Sequence, residues 1–317
     1  MNIISAFFKI IRLPNILMIA LAQWCFHRFI IYPSFDANFF PLTLQTKELT
    51  LLILATAFIG AAGNVINDFF DMDLDTQFKP NRVIVGKAIS EEGAQNLFYI
   101  LNGIGLACGA YLSYIINQKQ LISVFVLSIV LLWFYSAELK KTPLFGNLVI
   151  SFLCAFSIIL VWLFERGLFD LVAYDEMKQI TIIVFYSMAA YAGSAFLINL
   201  TREIVKDFED SEGDFRFGAN TLPIFLGQRN AKIFLLVLNI AILSFLGYSI
   251  TLFSFEKHLY HIGYIIILFI NIPILLNIYF SIAKSDYRKA SLCLKITLFF
   301  GVLSMPLFYY LNNHLNS

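Results

Sequence analysis

Nine apolar runs of about twenty residues, separated by short clusters of charge, constrain this chain more than any other feature of its 317 residues. They fall at roughly 14–32, 49–67, 95–116, 120–138, 147–164, 180–200, 232–253, 260–281 and 292–311. About twenty residues is the length a helix needs to cross a bilayer core, because every backbone N–H and C=O must be satisfied within the segment. With 59% hydrophobic and 14% charged residues, the chain cannot dress a soluble surface of ordinary polarity. The expectation is an all-α, multi-pass membrane protein, one domain over 1–317, in the cell membrane. The first run follows Lys9 and Arg12 and continues past Trp24 to Arg28 without a small-residue cleavage site, so it reads as a retained span and not a signal peptide.

Charge then sets orientation. Six of the 22 Lys and Arg residues (Arg28, Lys47, Lys119, Arg166, Lys178 and Lys257) fall on one face, leaving 16 on the face of the N-terminus. Basic residues accumulate on the cytoplasmic side, which puts the N-terminus in the cytoplasm and the C-terminus outside. A net charge of +1 with no basic arm excludes nucleic acid as a partner. Cys25, Cys108, Cys154 and Cys293 all lie in apolar runs without paired spacing, and the histidines form no ligand set, so neither disulfide nor zinc is expected.

Two charged segments break this pattern. The second run ends in Asn64-Val65-Ile66-Asn67-Asp68-Phe69-Phe70-Asp71-Met72-Asp73-Leu74-Asp75, and the sixth in Arg202-Glu203-Ile204-Val205-Lys206-Asp207-Phe208-Glu209-Asp210-Ser211-Glu212-Gly213-Asp214. Each contains Asp-x-x-Asp-x-x-x-Asp: Asp68, Asp71 and Asp75, then Asp207, Asp210 and Asp214. The pattern recurs after 139 residues, and these segments hold seven of the chain's eleven aspartates. Positions i, i+3 and i+7 share one stripe of a helix, so three carboxylates stand in a row twice over. Stacked like charges at a membrane mouth repel and resist desolvation, and hard divalent cations such as Mg²⁺ or Ca²⁺ relieve both problems. Mg²⁺ keeps coordination positions for phosphate oxygens, so two facing rows would hold a Mg²⁺–diphosphate.

An acidic solvated helix end would explain one such row, but not a matched pair at equivalent ends of two spans. An EF-hand starting at Asp71 fails because its sixth position is Thr76 and its twelfth is Arg82. Cations share the same connections: Lys79, Arg82 and Lys87 after the first motif, Arg202 and Lys206 in the second, Lys140 and Lys141 after the fourth run. Singly, each reads equally as a topology anchor. Together they suit a polyanionic leaving group. Tyr135 stands beside them, either steering that group or anchoring at the interface.

The chain resembles the UbiA superfamily of intramembrane prenyltransferases over nearly its full length. The residues that carry the resemblance are Asn67-Asp68-x-x-Asp71-x-x-x-Asp75, Tyr135-Ser136-x-x-Leu139-Lys140, and Arg202-Glu203-x-x-Lys206-Asp207-x-x-Asp210-x-x-Gly213-Asp214, followed by Gly218-Ala219-Asn220-Thr221-Leu222-Pro223. The resemblance implies nine helices around a lipid-open cavity, with both Asp-rich ends on the cytoplasmic side. It also implies Mg²⁺-dependent transfer of a polyprenyl chain from its diphosphate to a lipophilic acceptor. Lys79-Pro80-Asn81-Arg82 is most similar to the digeranylgeranylglyceryl phosphate synthase branch, which acts on a prenylated glycerol phosphate; Met72 stands where the 4-hydroxybenzoate branch usually has Arg. Val83-Ile84-Val85-Gly86-Lys87 departs from the Pro-x-Pro-Ser-Gly that many members carry there.

On this reading the six motif aspartates are the metal ligands. Asn64 and Asn67 orient the metal or an Asp, and Arg82, Lys140, Arg202, Lys206 and Arg12 contact substrate anions. A glycerol phosphate acceptor would need a further cationic site, with Arg12, Lys141 and Arg216 as candidates. An aromatic acceptor of quinone or haem biosynthesis is the alternative within enzymes. A transporter is the alternative from another class; it would place its charges near the midplane and break a helix at a central Gly or Pro, and neither feature is read in the runs. The pseudo-repeat divides into 14–138, 147–253 and 260–311, and the last three runs show no chemistry. No obligate protein partner is evident.

Overall fold

A computed structural model of the chain describes residues 2–36, 41–81, 83–165, 178–251 and 257–315. Among the described residues, nine helical stretches are long and apolar enough to span a bilayer, and they coincide with the nine runs. The chain is a multi-pass helical membrane protein.

A short helix α1 (Ile3–Ile10) precedes the first span. The span comprises α2 (Leu13–Phe26), a π-helical turn (His27–Ile31) and α3 (Tyr32–Asp36). There follow α4 (Thr46–Phe70), the short α5 (Met72–Phe78), α6 (Glu91–Ile115), α7 (Ile122–Ala137), α8 (Phe145–Phe164), α9 (Lys178–Arg216), α10 (Leu222–Thr251), α11 (Lys257–Ile278) and α12 (Tyr287–Leu315). The start of α6 shows how local sequence sets these boundaries. Ser90 accepts a hydrogen bond from Gly93 N at 3.0 Å, and Glu91 and Glu92 lie in the positive first turn.

Apolar contact alone does not choose helix partners in lipid, so small residues and buried amides specify the packing. Gly105 of α6 lies so close to α4 that a Cβ there would stand 2.8 Å from Ile59 and 3.2 Å from the Ala55 carbonyl oxygen. Gln23 of α2 donates to Ser157 O of α8 at 2.9 Å and to Thr56 Oγ1 of α4 at 3.1 Å. Asn277 of α11 donates to Asn239 of α10 at 2.6 Å, with both side chains fully buried. Around these contacts sit three apolar clusters. One joins Phe26, Leu52, Phe125 and Phe164; a second joins Ile204, Leu235, Ile274 and Leu294; a third joins Ile10, Ala62, Val65 and Ile84 beneath the first Asp motif.

The structure departs from the sequence reading at three places. The first motif is not on one unbroken helix: α4 ends at Phe70, Asp71 is the junction (φ −89°, ψ −1°), and α5 restarts at Met72. Asp71 N still bonds to Asn67 O and Asp75 N to Asp71 O, so the stripe bends without dispersing. The second motif, in contrast, does lie on the helix that continues the sixth run, as its spacing implies. The 39-residue α9 is about 58 Å long and carries the whole second motif beyond the bilayer core. The seventh helix starts at Leu222, ten residues earlier than its apolar run, and bends at Gly227, whose φ of 75° suits glycine. Finally, α11 does contain a central proline, Pro273, yet continues through it into a π-helical turn at Tyr279–Ala283; interior proline is tolerated in membrane helices.

Candidate active site

The α1–α2 turn, the α4–α5 junction, the turn after α7 and the end of α9 come together at one end of the bundle. Arg12 begins the assembly. It occupies the left-handed region (φ 51°, ψ 54°) just before α2, whose first turn contains Pro14. Asn64 donates to Ile11 O at 2.9 Å and fixes this turn. The turn aims Arg12 at Asp68, with Nη2 2.8 Å from Oδ1. Burial alone would lower the Arg12 pKa, but the charge and hydrogen bond of Asp68 overcome it and hold the guanidinium above its ordinary value.

Asp71 is gripped from two sides. Asn67, one turn earlier, donates to Oδ2 at 2.9 Å, and Lys140 donates to Oδ1 at 2.6 Å. Lys140 sits on the 3₁₀ turn Leu139–Lys141, against which Gly146 of α8 packs so tightly that a Cβ would lie 2.7 Å from Leu139 O and from Lys140 Cα. Burial pushes Lys140 below its ordinary pKa, and Asp71 opposes that shift.

The second row faces the first. Lys79, which ends α5, lies 2.6 Å from Asp210 Oδ1. Beside this pair, Phe78 packs edge-on against Phe217 at 6.0 Å and against Gly213, which has no side chain to keep the helices apart. Asp75 registers the convergence. Burial raises its pKa, Lys79 lowers it, and Asp71, Asp68 and Asp210 of the opposite row raise it further. Asp207 accepts a hydrogen bond from buried Asn147 of α8 at 2.7 Å. Asp73, Glu209 and Glu212 are exposed, off the stripe. Asn220 N bonds to Lys141 O at 2.8 Å, tying the loop after the second motif to the turn that carries Lys140.

Beneath the carboxylates lies a chamber of ≈ 350 Å³. Its polar wall is Arg12, Asn64, Asn67, Tyr135, Arg202, Glu203, Lys206 and Lys295, and its apolar wall includes Ile16, Phe125, Leu132 and Leu160. None of the six motif aspartates lines it. Asp68 and Asp71 stand one hydrogen bond behind the wall, reached through Arg12 and Asn67 respectively. A second, mainly apolar chamber of ≈ 350 Å³ shares Met18, Ile19, Cys154, Ser157 and Leu298 with the first and continues among Tyr191, Ile270 and Met305. The pair makes a path with a charged head and a greasy tail.

The donor set fits a hard divalent cation. It consists of carboxylate and amide oxygens, and Asp75 is crowded by its own kind. However, among the described residues no three carboxylates converge on a single point. An ion held between the rows would therefore complete its shell with water and diphosphate oxygens, as Mg²⁺ does. Arg82 lies outside the described residues. Lys141 and Arg216 do not line the chamber; Arg216 pairs with exposed Glu212 at 2.7 Å and caps the Phe78 ring. Reading the sequence missed Asn147 and Lys295 and gave no role to Glu203, which accepts from Arg202 at 2.9 Å and from Lys206 at 2.7 and 2.9 Å. The one visible signal was Lys295, a lone cation inside the ninth apolar run.

A sequence profile of the UbiA prenyltransferase family matches residues 38–305. The chain is 31% identical to digeranylgeranylglyceryl phosphate synthase of Methanobrevibacter smithii, over 73% of this chain and 74% of that protein. It is 32% identical to the synthase of the same name from Pyrococcus horikoshii, over 82% of this chain and 84% of that protein. Among solved structures, one described as giving insights into digeranylgeranylglyceryl phosphate synthase in membranes matches with a TM-score of 0.61 and 26% identity, covering 98% of this chain and 99% of that one. A UbiA homolog from Archaeoglobus fulgidus, bound to GPP and Mg²⁺, matches with a TM-score of 0.59 over 94% of this chain and 99% of that one; at 16% identity it speaks to the fold.

Proposed function

The chain belongs to the UbiA prenyltransferase family, and from that premise we propose that it transfers a geranylgeranyl group from its diphosphate to the free hydroxyl of a prenylated glycerol phosphate. One observation carries this reading: the Lys79–Asp210 contact, which brings the two carboxylate rows together over a chamber that is cationic at its head and apolar at its tail. The Methanobrevibacter smithii and Pyrococcus horikoshii relatives, both digeranylgeranylglyceryl phosphate synthases, support the choice of acceptor.

In the reaction the allylic C–O bond breaks, diphosphate leaves with the electron pair, the acceptor oxygen bonds to the allylic carbon, and the hydroxyl proton is released. Mg²⁺, when held by Asp68, Asp71, Asp75, Asp207, Asp210 and Asp214 together with the diphosphate, would neutralise charge on the departing group. The protein's own contribution is arrangement. Asn67 and Lys140 fix Asp71, Asn147 fixes Asp207, and Lys79, Lys140 and Arg12 present cations where the diphosphate would lie. Tyr135 and the apolar wall exclude water from a reactive allylic carbon. The excess of Lys and Arg on this face supports a cytoplasmic active site, with the N-terminus inside and the C-terminus outside.

A membrane assay with labelled geranylgeranyl diphosphate and Mg²⁺, offering either geranylgeranylglyceryl phosphate or a hydroxybenzoate, tests the proposal. Labelled ether lipid from the first acceptor is expected. Product from the hydroxybenzoate alone would move the chain to the aromatic-acceptor group.

A further inference from the structure

Helix α12 carries an unexpected charge. Lys295 lies eight residues past Tyr287, about 12 Å along the helix, among exposed apolar neighbours Leu292, Ile296 and Phe299. A lysine at that depth is costly unless it meets an anion or stretches back to the interface. Among the described residues no carboxylate pairs with it. Its exposed side chain lines the head chamber together with Tyr135 and Arg202, and the charges in reach are the cations Arg202 and Arg12 and the acids Glu203 and Glu209. Glu203 is already committed to Arg202 and Lys206. Arg202, for its part, retains a buried Nε without a hydrogen-bond partner. Two cations from different helices thus border one cavity whose nearest acid is engaged. Of the cations that face the Asp rows, Lys79, Lys140 and Arg12, only Arg12 also lines this chamber, and each has a carboxylate partner of its own.

We propose that Lys295 and Arg202 form a second anion site in the chamber, which takes the phosphate of the acceptor while the diphosphate occupies the Asp-rich end. The inference rests on the glycerol phosphate reading above and makes Lys295 a specificity-determining residue. Lysine suits this role because its ammonium can meet a phosphate as a point charge at the end of a flexible stem.

Steady-state kinetics of the purified full-length protein test it, varying geranylgeranylglyceryl phosphate and geranylgeranyl diphosphate in turn. Lys295→Met keeps an unbranched stem without the charge. Its KM for the phosphorylated acceptor should rise about tenfold or more, the worth of a charge-assisted hydrogen bond, while its KM for the diphosphate stays within about twofold and attests to an intact fold. Lys295→Arg should restore most of the acceptor affinity. An unchanged acceptor KM in Lys295→Met would mean that the lysine only reaches for the interface, and a rise confined to the diphosphate KM would assign it to the other substrate; either overturns the inference alone. If the unaltered protein does not turn over the phosphorylated acceptor at all, the functional reading fails, and the inference fails with it.

Discussion

At the scale of the residue, the four best-defined motif carboxylates are each met by a different partner: Asp68 by Arg12, Asp71 by Lys140 and Asn67, Asp207 by Asn147, and Asp210 by Lys79. These partners fix where each charge points, so removing either a carboxylate or its holder should be felt in turnover. Asp71→Ala and Asp210→Ala should each lower turnover at saturating Mg²⁺ by at least about a hundredfold, in line with the loss of a preorganised group at a developing charge; activity in membranes normalised to inserted protein measures this. Asn147→Ala should cost less, about ten- to a hundredfold in kcat/KM, because it removes one hydrogen bond to a charged group, and it should raise the Mg²⁺ concentration for half-maximal rate. The aspartates were legible in the sequence because a helical period puts i, i+3 and i+7 on one stripe. Asn147 was not. Periodicity gives the face of a helix but not the side chain across from it, and Asn147 lies 60 residues from Asp207 along the chain.

At the scale of the element, spans are the easiest feature to read and their ends the hardest. Apolar length dictated α4, α6 and α8 to within a few residues, since the bilayer sets one common requirement. It does not mark the end of α9, where polar residues continue the helix past the membrane, or the junction at Asp71 that bends the stripe. Both features place the motifs: α9 carries its carboxylates out to meet α5, and the junction turns α5 toward α9. The turn at Leu139–Lys141 works the same way. Gly146 lets α8 approach until only a hydrogen fits, and the obstacle a Cβ would meet is backbone rather than a flexible side chain. Gly146→Ala should therefore push Lys140 off Asp71, costing about 1–3 kcal/mol of stability through overpacking. A lowered melting temperature together with a larger proportional fall in turnover is the expected pair of results. Equal activity in a less stable protein would show that the turn does not position Lys140.

At the scale of the whole molecule, the nine spans among the described residues surround two joined chambers, with charge at one end and apolar surface along the rest. Four separate connections supply the charged end, which explains why no single stretch of sequence displayed it whole: Arg12, Asp71, Lys140 and Asp210 span nearly two hundred residues of chain. The resemblance to known prenyltransferases supplied the expectation of a central cavity, which spacing alone does not give. What the account requires of the assembled molecule is that both rows act on one ligand. Equilibrium binding of geranylgeranyl diphosphate to the purified protein, titrated with Mg²⁺ in the unaltered chain, in Asp71→Asn and in Asp210→Asn, measures that directly. Binding should be strongly Mg²⁺-dependent, abolished by EDTA, and weakened about tenfold or more by either substitution. Tight binding without divalent metal, or affinity that survives the loss of one row, would contradict the account.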